Sequence, residues 1–411
     1  MARLRFRPGA RLRALLGPDP QGVRQSLVAL VLNSSTSLVA GAFLGSITST
    51  FERLPGLLVL VPAAIGLRGN IFGAFGNRIS TTIHSGTFRL STRRDTVLGQ
   101  NVLAASILTL AMSCILAAGA KAIAVALGVE HTISLLDLAV VSIVGGALGS
   151  VVVLASTLGL AAGAVRYGWD LDNVTAPLVS TLGDVLTLPA LFIGTYLVGR
   201  HVITPALGVA LVIASLASLL VGLRSHLDQL PRIVRESLPV LTIAGAVSAM
   251  AGIVLEKRFG SFSHYPALLV LVPAQLSSAG ALGGILSGRL SSKLHLGLVE
   301  PAPVPSREAR SDMALAVVLA APVFAFNGIG AHLVGRALGH ASPGLIQMAL
   351  ASEMGGFAAM LFVLALAYYG TIVAVRVGVD PDTYGIPVVS SSVDFIGAFT
   401  LILAIVLLGI G

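Results

Sequence analysis

The sequence predicts an all-α membrane protein of about eleven transmembrane helices, built as two parallel five-helix repeats related by a pseudo-two-fold axis along the membrane normal, plus one linking helix. Three observations predict it. First, 55% of the 411 residues are hydrophobic and only 11% are charged, whereas a soluble domain carries about 25% charged residues to keep its surface wet. Second, apolar runs of about 20 residues recur along the chain, enough to cross a hydrocarbon core of about 30 Å. Third, blocks of Pro, Gly, Arg and Asp recur at an almost constant interval.

The spans have approximate limits 26–48, 56–82, 97–127, 135–166, 174–198, 203–223, 237–256, 265–290, 311–338, 344–376 and 384–410. The 46 glycines and 19 prolines are too many for plain rods and point to close helix packing and broken helices beside a polar path. Cys114 is the single cysteine, so no intramolecular disulfide framework is expected.

The net charge of +8 is a topology signal rather than a nucleic-acid footprint, because no basic patch is interleaved with aromatics. Arg3, Arg5, Arg7, Arg11 and Arg13 crowd an N-terminal tail without the apolar core of a signal peptide. Further clusters, Arg89–Arg94, Arg224–Arg235 and Lys293–Arg310, fall in loops that alternation puts on one side. Short Lys/Arg-rich loops stay cytoplasmic. The expectation is a multi-pass protein of the cell membrane with a cytoplasmic N-terminus and an extracytoplasmic C-terminus.

Pro55, Pro62, Arg78, Ser80, His84 and Gly86 are matched 211 residues later by Pro266, Pro273, Arg289, Ser291, His295 and Gly297. Gly145-Gly146 matches Gly355-Gly356, and Asp170, Asp172, Pro177 and Asp184 match Asp380, Asp382, Pro387 and Asp394, at an interval of 210. The chain therefore divides into a basic tail (1–25), a first repeat (26–200), a linking helix and cytoplasmic loop (201–236) and a second repeat (237–411). Five spans per repeat would invert the second copy, and the linking span restores its orientation. A site on the axis of such a parallel pair is lined by matching residues from each half.

Ionisable groups inside lipid are costly and mark function. Asp184 and Asp394 lie ~15 Å along their helices from the cytoplasmic end, and the symmetry brings them together. Two carboxylates in one low-dielectric place either share a proton or hold a cation between them. Their charge matches a divalent ion, and Mg²⁺ keeps several waters while bound by one or two carboxylates. Ser180 and Ser390, one turn earlier, offer hydroxyls to those waters. The competing reading makes each Asp a neutral packing residue. Asp170, Asp172 and Asn173, with Asp380 and Asp382, form an acidic vestibule that concentrates cations, or cap the helices they precede.

Arg68 and Arg78 lie in or near the membrane and need partners, as does Arg289 in the second copy. Asn70 and Asn77 are polar positions on the same Gly-rich segment. The second copy replaces Gly66–Asn70 with Ser277–Ala281, so Arg68 has no counterpart and the halves differ. Glu353, aligned with Ile143, is a lone intramembrane acid, a proton or Na⁺ site or the partner of an Arg. His84 and His295 are expected to be structural.

Arg68-Gly69-Asn70 with Asn77-Arg78-Ile79-Ser80-Thr81, and Asp172-Asn173…Pro177…Leu182-Gly183-Asp184, repeated more loosely at Pro381-Asp382-Thr383…Pro387…Asp394, resemble the signature segments of the MgtE/SLC41 magnesium transporters. The resemblance runs from about residue 24 onward and is closest to the fused two-repeat SLC41 branch, without the acidic sensor region or paired CBS domains. It implies a pore between the halves with Asp184 and Asp394 at the ion, Mg²⁺ as the transported species, and no catalysis. The duplication implies a functional monomer, with homo-oligomers left open. Two alternatives remain: a carrier of another divalent metal or solute, and an intramembrane aspartyl protease, for which Asp184 lacks the Gly-x-Gly-Asp context.

Overall fold

A computed structural model describes residues 20–84, 86, 88–129, 131–167, 171–295, 297–377 and 386–410. It is all helix among these residues: α1 (Pro20–Ser46), α2 (Thr48–Arg53), α3 (Leu57–His84), α4 (Val97–Ala126), α5 (Leu135–Tyr167), α6 (Leu171–Thr195), α7 (Ile203–Leu223), α8 (Leu230–Glu256), α9 (Phe259–His264), α10 (Ala267–His295), α11 (Arg307–Ala337), α12 (Leu345–Val377) and α13 (Ile386–Leu407). Ten are long and apolar enough to span a bilayer. The eleventh expected span is α6, whose apolar described stretch is Thr181–Thr195. The short helices α2 and α9 are not anticipated by the sequence reading, since six residues show no usable period. They nevertheless start 211 residues apart, like the proline pairs that follow them.

Helices α1–α6 and α8–α13 form two matching sets, and the first helix of each set packs into the other. Helix α1 lies against α10 and α11, and α8 lies against α3 and α4. Glycine permits this exchange. A Cβ at Gly41 would sit 2.0 Å from the Val270 carbonyl oxygen, and one at Gly252 would sit 2.3 Å from that of Val59. Both distances are far inside contact, so only a residue without a side chain lets these backbones meet. Gly145 against Leu191 and Gly355 against Leu401 do the same between α5 and α6 and between α12 and α13.

The loops obey ordinary capping chemistry. Thr96 accepts a hydrogen bond from the Gly99 amide at 3.1 Å and starts α4, and Ser306 accepts one from Ala309 at 3.2 Å and starts α11. At the opposite end, the Glu256 carboxylate accepts from the Gly56 amide at 2.8 Å, tying the end of α8 to the start of α3. Helix α7 packs on α4, α5 and α8 and turns Val209, Ile213, Leu216 and Leu220 outward, as a lipid-facing helix does.

The two expected arginines of the second-span blocks find different partners. Arg78 Nε donates to Asn101 Oδ1 at 2.7 Å, whereas Arg289 Nε donates to Asp312 Oδ1 at 2.9 Å, and Lys293 Nζ donates to Asp312 Oδ2 at 2.5 Å. Asn101 and Asp312 occupy matching positions, so the second half has replaced a neutral acceptor with a buried carboxylate shared by two cations.

Candidate ion site between the two halves

Helix α6 delivers Asp184 and helix α13 delivers Asp394 to the centre of the bundle. The two carboxylates lie within charge–charge reach of each other. Each residue keeps some accessible surface, so neither is sealed in a packed core.

Asp184 has partners from both halves, whereas Asp394 has a hydroxyl partner from its own half alone among the described residues. Asp184 faces Ser37 of α1, and its Oδ2 accepts from Ser277 Oγ of α10 at 3.4 Å. Asp394 Oδ2 accepts from Ser248 Oγ of α8 at 3.3 Å. Ser37 and Ser248 are 211 residues apart. The position opposite Asp394 that matches Ser277 is Gly66 of α3, whose missing Cβ would lie 3.5 Å from Asp394 Oδ2. Ser277 Oγ also lies 3.1 Å from Asn33 Oδ1 of α1, so its single hydroxyl hydrogen is shared between the two acceptors.

The donor set is therefore two carboxylates, three hydroxyls and an amide oxygen, all hard oxygen. Among the described residues no group of three or more His, Cys, Asp and Glu side chains stands together as a metal cluster. Oxygen donors without thiolate or imidazole suit Mg²⁺ or Ca²⁺ over soft metals.

Helices α3 and α10 are exposed along one stretch and buried along the other. Gly66, Gly69, Asn70, Gly73 and Asn77 form one partly exposed face of α3, matched on α10 by Ser277, Gly280, Ala281, Gly284 and Gly288. A Cβ added at Gly69, Gly73, Gly280, Gly284 or Gly288 would meet nothing within 4 Å. In the opposite direction, every residue of 57–64 and 267–276 is buried, leucine and valine foremost.

The remaining sequence candidates are distributed as follows. Asn70 and Asn77 border the open face of α3. Arg68 points away from it and is buried, with Nη2 donating to the Gly145 carbonyl oxygen of α5 at 2.8 Å. Arg78 and Arg289 are held by Asn101 and Asp312 as described above. Glu353 lies on α12, partly exposed, with Oε2 lacking a hydrogen-bond partner among the described residues. Ser390 Oγ bonds the Pro387 carbonyl of its own helix at 3.2 Å. The backbones of Asp172, Asn173 and Ser180 belong to α6, but their side chains lie outside the described residues, as do those of His84 and His295. Asp170, Asp380 and Asp382 lie outside them altogether. Asn33, Ser37, Ser248 and Ser277 were not singled out from the sequence. The interval of 211 residues between Ser37 and Ser248 is the signal that finds two of them.

A family model described as MgtE, divalent cation transporter, matches residues 61–194 and again 272–404. Solute carrier family 41 member 3 of Rattus norvegicus is 22% identical over 279 residues, covering 66% of this chain and 60% of the relative. The Mus musculus protein of the same name is 22% identical over 251 residues, covering 60% of this chain and 51% of the relative. Solute carrier family 41 member 2 of Homo sapiens is 24% identical over 417 residues, covering 92% of this chain and 69% of the relative. The chain thus spans between about half and about three fifths of the length of the first two relatives. No solved structure matches. The family consists of transporters, which removes the intramembrane protease as a reading of the two aspartates. Both matched segments together exceed half of the sequence, and the chain belongs to the MgtE family of divalent cation transporters.

Proposed function

We propose that this chain carries hydrated divalent cations, Mg²⁺ foremost, across the cell membrane between two repeats spanning 26–200 and 237–411, with Asp184 and Asp394 holding the ion. The observation that carries the reading is the matched pair itself. Two carboxylates from equivalent helices come within charge–charge reach of each other, each beside a serine from the first helix of its half. Like charges brought together in low dielectric need a cation between them or a proton on one. A dication with its waters balances both, and the hydroxyls of Ser37, Ser248 and Ser277 are placed to bond those waters.

The glycine faces of α3 and α10 supply the route. Backbone without side chains leaves width for an ion that retains its hydration, and the acidic residues at the start of α6, with Asp380 and Asp382, draw cations toward its mouth. With the N-terminus cytoplasmic by the positive-inside rule, the open faces look to the cytoplasm and the Leu57–Ala64 and Ala267–Leu276 segments seal the outside. The C-terminus is then extracytoplasmic and one chain suffices as a pseudo-dimer.

The test is Mg²⁺ flux into proteoliposomes, comparing the wild type with Asp184→Asn and Asp394→Asn, with Na⁺ gradient and voltage set independently. Each substitution is expected to abolish most of the flux while the protein remains folded. Wild-type flux in both variants would remove the paired aspartates as the ion site. Flux of another divalent ion with none of Mg²⁺ would change the substrate and keep the site.

A further inference from the structure

Among the described residues, Arg68 is a charge without a counter-charge. It is 3% exposed, and its guanidinium keeps its proton in proteins. One nitrogen, Nη2, reaches the Gly145 carbonyl, while Nε and Nη1 are buried and have no hydrogen-bond partner among the described residues. The guanidinium lies flat against Gly149, where a Cβ would come within 2.6 Å of Cζ. Burying such a charge unpaired is prohibitively costly, so the fold at this place calls for an anion.

The surroundings are built to hold one. Arg68 lines a small internal cavity with Thr109, Ser113, Ser142 and Ser150 and with no acidic residue. Thr109 donates to Ser150 Oγ at 3.2 Å and Ser142 donates to the Ser113 carbonyl at 2.7 Å. The hydroxyl hydrogens of Ser113 and Ser150 are left with no acceptor among the described residues, facing the same space as the two orphan guanidinium N–H groups.

The second half is the internal control. There the place of Arg68 is taken by Ala279, that of Ala64 by Gln275, that of Ser113 by Phe324 and that of Ser150 by Met360. Gln275 closes the gap itself, donating to the Ser352 carbonyl at 3.0 Å and accepting from Ser352 Oγ at 2.8 Å. The same fold position thus exists in two versions, one filled by protein and one carrying an unpaired cation beside unsatisfied hydroxyls.

We propose that Arg68, with the hydroxyls of Ser113 and Ser150, binds a small inorganic monovalent anion, chloride, inside the first half of the bundle. The anion neutralises a positive charge whose backbone flanks the ion site: Gly66 abuts Asp394, and a Cβ at Gly183, next to Asp184, would lie 3.7 Å from Arg68 Cβ. The inference stands whether or not the aspartates carry Mg²⁺.

The test is the thermal unfolding midpoint of the purified full chain in sodium chloride, bromide and gluconate at equal ionic strength. The expected result is a higher midpoint in both halides than in gluconate, because a ligand of the folded state alone stabilises it. The double variant Ala64→Gln/Arg68→Ala, which copies Gln275 and Ala279, is expected to lose the difference. Equal wild-type midpoints in all three salts would mean that water fills the cavity and would overturn the proposal. A halide effect that persists in the double variant would overturn it too. Should that variant not fold, anomalous scattering from bromide in wild-type crystals decides: a peak beside Arg68 supports the site, and its absence sinks it.

Discussion

Asp184 accepts a hydrogen bond from Ser277 across the interface between the halves, at 3.4 Å, but Asp394, its counterpart, looks onto Gly66, which has no side chain to donate. The two carboxylates are therefore alike in position and unlike in solvation. Asp394 depends on Ser248 and on whatever water or ion shares its space.

The inequivalence predicts that Gly66→Ser is tolerated. The added Cβ would meet Asp394 Oδ2 at 3.5 Å and Ser248 Oγ at 3.6 Å, ordinary contact distances. The variant should unfold within a few degrees of wild type. A hydroxyl there gives Asp394 the donor that Asp184 already has, and the apparent Mg²⁺ affinity read from flux against concentration should shift by several-fold. An unchanged concentration dependence would show that this position does not meet the ion.

The glycines of the open faces should separate flux from stability. Gly73→Leu and Gly284→Leu put bulk into space where nothing lies within 4 Å, so the unfolding midpoint should hold while Mg²⁺ flux falls at least ~10-fold, about 1.4 kcal/mol on a barrier. Gly41→Leu and Gly252→Leu should do the reverse in origin, forcing α1 from α10 and α8 from α3. Overpacking of this kind costs about 1–3 kcal/mol or more, read as a lowered midpoint and poor yield.

Because Cys114 is the single cysteine, accessibility can be mapped on a Cys114→Ala background. Gly73→Cys and Gly284→Cys should react with a charged thiol reagent applied from the cytoplasmic face. Val59→Cys and Leu269→Cys, within the sealed segments, should not. Labelling of the sealed positions at the same rate would show a passage open at both ends.

Asp312, shared by Arg289 and Lys293, gives a graded expectation. Asp312→Asn copies Asn101 and still accepts from Arg289, so it should cost less than Asp312→Ala, which strands two cations. Arg289 and Lys293 keep 36% and 28% of their side-chain surface exposed, so water re-solvates them and the cost falls below the ~3–5 kcal/mol of breaking a fully buried pair. Thermal unfolding of both variants, with Asn101→Ala as the neutral comparison, measures the difference.

Some of this was settled by sequence alone. The shortage of charge forced a lipid-facing, all-helical chain, since every backbone amide in hydrocarbon must bond within its own helix. Intervals of 211 and 210 residues pair Arg78 with Arg289 and Asp184 with Asp394 in the sequence itself, because a duplicated chain keeps its costly residues in register. What the sequence could not decide was which helix meets which. A period tells which face of α1 is apolar, not that Gly41 sits on Val270 of the other half, because that choice depends on backbone approach across more than 200 residues. For the same reason Ser277 beside Asp184, and Arg68 turned toward Gly145 and away from the open face of α3, emerged only from the folded chain. Side chains of one helix share a spacing, but their partners are set by packing between helices, and local spacing carries no record of that.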